Sequence, residues 1–121
     1  MINDEEFEKI INECLDELPK EITENLKNVA IVIDDSPSDK QREELKLNHN
    51  QSLFGLFEGV PRSSRSDFGV QLPAKITLFK LPLLSAAQDR VEFKERIKRT
   101  LWHEIAHYYG LDHEQIDKLQ K

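Results

Sequence analysis

The chain has 121 residues, with 17 Lys or Arg against 23 Asp or Glu and a formal net charge of -6. That length suits one domain, expected over 1–121, able to bury an ordinary core; the one cysteine excludes an internal disulfide and any multi-cysteine metal site. The acidic mean field repels phosphate, so neither nucleic acid nor an anionic membrane is an expected partner.

The chain starts Met-Ile-Asn-Asp-Glu-Glu, acidic where a secretory leader would be basic, and no run approaches about 18 apolar residues. A cytoplasmic location is expected. Phe7, Ile10, Ile11, Cys14, Leu15 and Leu18 recur at helical spacing and predict an amphipathic helix that Pro19 stops. Asn3 and Glu6 have the spacing of a capping box. Cys14 lies on the apolar stripe and reads as a small buried side chain. After Pro19 a short second helix is expected to about Leu26.

Residues 29–33, Val-Ala-Ile-Val-Ile, predict a buried strand. Residues 34–52 read as a long polar surface loop, with one helical turn around Arg42, Glu43, Glu44 and Lys46. A second strand is expected over 53–57, and Gly59 and Pro61 turn the chain. Residues 75–81, between Pro73 and Pro82, make the strongest strand signal. The flanking prolines and the lysines place that strand at a sheet edge. A helical turn is expected over 83–87.

The longest helical pattern runs from Asp89 or Arg90 to about Tyr109. Val91, Phe93, Ile97, Leu101 and Ile105 form its stripe, and Gly110 is its expected end. Glu92–Arg96 and Glu95–Arg99 are i, i+4 pairs. The basic run 94–99 reads as a solvated face. A short terminal helix is expected over 114–120.

Three of the four histidines fall in His103-Glu104-Ile105-Ala106-His107-Tyr108-Tyr109-Gly110-Leu111-Asp112-His113. Residues four apart share a helix face, so His103 and His107 can converge on one Zn2+ ion. Glu104 stands about 100° round the helix and can flank water without becoming a ligand. Gly110 permits a sharp turn that returns His113 as third ligand. Three protein ligands leave one position open, the arrangement of a catalytic zinc. Asp112 and Glu114 flank His113; each is an alternative ligand or a support for an imidazole. Tyr108 and Tyr109 are expected to divide between core and surface, Trp102 to pack, and the isolated His49 to have no role.

The 103–113 segment resembles that of zincin metallopeptidases with the extended HExxHxxGxxH pattern. The chain more closely resembles the small bacterial single-domain zincin-like metallopeptidases, on Leu-Phe-Gly-Leu-Phe-Glu-Gly-Val-Pro at 53–61, Leu-Pro-Ala-Lys-Ile-Thr-Leu-Phe at 72–79 and Arg-Thr-Leu-Trp-His-Glu-Ile-Ala-His at 99–107. Many members carry aspartate where this chain has His113. The resemblance implies an α+β minimal zincin-like domain. Its parts are an N-terminal helix, a small mixed or antiparallel sheet of about three to four strands, the metal helix and a short C-terminal helix. It further implies zinc-dependent hydrolysis of a peptide or protein by a monomer or weak oligomer. A substrate strand is expected to add beside 75–81. The alternative is a module that binds metal without turnover and serves interaction or regulation.

Overall fold

A computed structural model describes residues 2–24, 26, 28–46, 53–59, 74–111 and 114. Its elements are α1 (Asp4–Glu17), α2 (Lys20–Thr23), β1 (Val29–Asp34), α3 (Asp39–Glu44), β2 (Gly55–Glu58), β3 (Ala74–Phe79), α4 (Lys80–Ala86) and α5 (Arg90–Tyr108). Helices and a small mixed sheet make the expected α+β architecture. Among the described residues no helix is long and apolar enough to cross a membrane.

The helix ends follow local chemistry. Asn3 Oδ1 accepts the Glu6 N–H at 2.8 Å, closing half of the expected capping box. The Glu6 carboxylate turns instead to Arg90, 2.8 Å away on α5. Ser38 and Gln41 form a complete capping box that starts α3 inside the stretch expected to be loop. Asp89 Oδ1 accepts the Glu92 N–H at 2.8 Å and starts α5 where expected. The Glu92–Arg96 pair forms at 3.2 Å. Val91, expected on the apolar stripe, is 74% exposed.

The sheet order is β1-β3-β2, with β1 parallel and β2 antiparallel to β3. The strand expected at an edge is therefore the central one. It ends at Phe79, and the next residues coil into α4, longer than the expected turn. Pro82 sits in the first turn of α4, where its missing N–H costs no helical bond. Lys80 also leaves the strand and pairs with Asp4 at 3.1 Å. Only Lys75 remains, exposed and 3.6 Å from Glu58 on β2. Ile76, Thr77, Leu78 and Phe79 are all fully buried, so both faces of β3 are covered, as a central position requires. Thr77 carries a buried hydroxyl without a hydrogen-bond partner among the described residues.

Alternation puts Ile31, Ile33, Ile76, Leu78, Gly55 and Phe57 on one face. Leu78 joins Phe7, Ile11, Cys14, Phe93, Ile97 and Leu101 in the core, so α1 and α5 lie over that face. Each large apolar side chain buried there contributes about 1.5–3 kcal/mol relative to exposure. Phe7 and Phe93 meet edge to face, ring centres 5.6 Å apart. Cys14 is fully buried, as expected, and burial pushes its thiol up from 9.0 to about 11. The basic run of α5 does more than meet water. Lys94 pairs with Glu13 and Glu17, and Lys98 with Glu17, tying α5 to α1. Those hydrogen bonds hold the Glu17 carboxyl below the usual range.

Candidate metal centre

His103 and His107 occupy the last two turns of α5. Their Nε2 atoms are 3.1 Å apart, and the rings meet at 77°. Two nitrogens each about 2.0–2.1 Å from one tetrahedral ion lie about 3.3 Å apart. The pair thus fits a shared zinc with little rearrangement. Both donors are imidazole nitrogens, which suit that ion.

Gly110 ends the helix as expected. Its φ is 82°, its N–H bonds His107 C=O at 3.0 Å, and Leu111 N–H bonds Ala106 C=O at 3.0 Å. These two bonds form a Schellman motif and satisfy the His107 and Ala106 carbonyls in the last turn of the helix. The positive φ turns the chain sharply, and a Cβ there would be strained. His113 and Asp112 lie outside the described residues, as do His49 and most of the expected terminal helix. Glu114 is helical and exposed. Among the described residues no group of three His, Cys, Asp or Glu is placed to hold an ion. Glu104 accordingly stands apart from the histidine pair as a ligand.

Glu104 is only 8% exposed. Burial raises its carboxyl from 4.5 to about 7, while a hydrogen bond from the Phe57 backbone N–H opposes the rise. The strand register explains that bond. Phe79 N–H donates to Phe54 C=O at 2.9 Å, so residues 54, 56 and 58 face β3. Gly55 and Phe57 therefore turn their backbone groups to the edge away from β3, where Glu104 lies.

Sequence reasoning missed these edge groups; a glycine inside a strand pattern was the available signal. A Cβ at Gly55 would meet Thr100 Cγ2 at 2.6 Å, Thr77 O at 3.2 Å and Glu104 Cγ at 3.3 Å. Gly55 thus lets β2 press against the helix turn that carries Glu104. Thr100 cannot easily turn away, because its hydroxyl donates to Arg96 C=O at 2.7 Å. A cleft of about 300 Å³ opens beside this contact, lined by Leu53, Phe54, Gly55, Thr100, His103 and Glu104.

Of the two tyrosines, expected to divide between core and surface, one is in the core and the other packs partway, against α2. Tyr108 is buried, its ring 6.0 Å from Phe57. Tyr109 is half-buried and donates its hydroxyl to Ile22 C=O in α2.

The family model described as zincin-like metallopeptidase matches residues 26–121. No curated protein matches the chain. Among solved structures it is similar to a conserved hypothetical protein from Thermo thermophilus, with TM-score 0.59 and 18% identity, covering 89% of this chain and 94% of that one. At that identity the likeness shows a shared fold.

Proposed function

Since the chain belongs to the zincin-like metallopeptidase family, we propose that it is a zinc-dependent peptidase with Glu104 as general base and His103, His107 and His113 as metal ligands. One observation carries this reading. Two imidazole nitrogens converge at 3.1 Å, and the intervening turn holds a buried carboxylate fixed by a strand N–H. When bound, zinc supplies Lewis-acid activation of water and of a scissile carbonyl.

The chain's own groups do the rest. Glu104 takes a proton from water at its carboxylate and returns it to the departing amine. The Phe57 N–H orients the carboxylate without neutralising it. Gly55 N–H, Gly55 C=O and Phe57 C=O have no backbone partner among the described residues, on the edge of β2 away from β3. An extended peptide pairing with them lies against the cleft. The pairing strand is thus β2 and not the 75–81 strand expected from sequence, whose two sides are already occupied.

The test is a chelator-sensitive cleavage assay on a peptide library, run beside metal analysis. Wild type should bind one zinc and cleave. Glu104→Gln should keep the zinc and lose cleavage; His103→Ala and His107→Ala should lose both. Stoichiometric zinc with no cleavage of any peptide would instead support the non-catalytic binding module.

A further inference from the structure

The opposite edge of the sheet is built differently. Ala74 N–H donates to Asn28 C=O at 3.1 Å, which sets the phase of the parallel β1–β3 ladder. Ala30, Val32 and Asp34 therefore face β3 with their backbone groups, and Val29, Ile31 and Ile33 face outward. Val29 N–H is taken by Leu26 C=O at 3.1 Å. The N–H and C=O of Ile31 and Ile33, with Val29 C=O, have no backbone partner among the described residues.

An exposed strand edge is normally blunted by proline, lysine, a bulge or shortness. β1 has none of these over its six residues, about 20 Å of strand. Beside it α1 leans on α5 and stands off the strand, leaving an open groove of about 440 Å³. Ile11 and Leu15 of α1 and Ile31 and Ile33 of β1 give it an apolar lining, and Glu8 and Asn12 form the rim.

The charge at one end selects the occupant. Lys80 pairs with Asp4, and Leu81 N–H donates to Asp35 C=O at 2.9 Å. These contacts bring the start of α1 to the end of β1. Asp4 and Glu8, both acidic, are the charged residues that line the groove, with Lys80 paired to Asp4, and Asp34 stands at the end of β1 on the opposite face of the sheet. We infer that this groove docks an extended, basic segment of a partner protein as a fourth strand beside β1. Its alternate side chains suit the two surroundings: apolar ones against Ile11 and Leu15, basic ones on the opposite face of the sheet, where Asp34 stands. A second copy of this chain, at net charge -6, is the poorer match. The inference is independent of the metal centre.

The probe is a fluorescein-labelled peptide, acetyl-Lys-Val-Lys-Val-Lys-Val-Lys-amide, titrated against the full chain. Saturable binding should weaken about tenfold or more in the double variant Glu8→Lys, Asn12→Lys, both exposed positions, with unchanged melting. In the wild type, N-methylation of one alternate set of peptide residues should abolish binding, and methylation of the other set should spare it. Equal binding by the variant, equal tolerance of both methylated sets, or no saturation at millimolar peptide would each overturn the inference. So would a dimer in sedimentation that the double variant dissolves, since the groove would then belong to a second copy.

Discussion

The two edges of the sheet hydrogen-bond to the same central strand and differ in what stands behind them. Behind β2, α5 presses so close that only a glycine fits at position 55, and a buried carboxylate reaches the strand N–H. Behind β1, α1 stands off and leaves apolar side chains, and backbone groups unpaired among the described residues, facing a groove. The same pairing chemistry therefore serves a tight site on one side and an open trough on the other. The spacing of a helix from a strand, more than the strand itself, decides which.

The largest expected effect is at the β2 edge. Glu104→Gln should lower peptide hydrolysis by roughly 10²–10⁴-fold at unchanged zinc content, the usual worth of a general base. Unchanged turnover would remove Glu104 from the chemistry and leave the close contact at β2 as packing alone.

The helix behind β1 supplies the next test. Burial raises the Cys14 thiol from 9.0 to about 11, so as pH rises the unfolded chain loses this proton first. The thiol's contribution to stability is full below pH 9 and is lost as pH rises through about 11. Denaturant titrations should show a loss of about 2–3 kcal/mol across that window, and Cys14→Ala should remove that part of the slope. Identical slopes for the two proteins would show that α1 leaves the thiol open to water.

Adding a methyl group to each edge sharpens the contrast. Gly55→Ala drives a Cβ into Thr100 and should cost about 1–3 kcal/mol in thermal or chemical unfolding, with reduced hydrolysis. Ala30→Val on β1, at an exposed site on the opposite face, should change stability by no more than about 0.5 kcal/mol. Equal costs would erase the distinction between pressed and open edges. The smallest effect belongs to the exposed Lys75–Glu58 pair across β3 and β2. Lys75→Ala should lower stability by only about 0.2–1 kcal/mol, a loss that high salt hides.

Much of this molecule was legible residue by residue. The run from Asp89 to Gly110 announced a capped amphipathic helix, and the chain forms it with the expected ends. Positions four apart on such a helix must share a face, so the convergence of His103 and His107 needed no tertiary information. Cys14 followed from its stripe. The expectations that failed concern partners distant in sequence. Lysines and flanking prolines marked 75–81 as an edge, yet Lys80 and Pro82 fall in the next helix and the strand is buried on both faces. Glu6 had the spacing of a reciprocal cap but found Arg90 across the fold. Val91 kept the helical period but stays exposed, with no element packed over it among the described residues.

Local order was thus settled by the sequence alone, because capping, helical period and the turn at Gly110 depend on interactions over a few residues. Strand order, the fit of Gly55 against Thr100, the Phe57 N–H on Glu104 and the groove beside β1 were decided only by tertiary packing. Each of these depends on how closely a helix and a strand approach, a distance set by side-chain volumes from several segments at once.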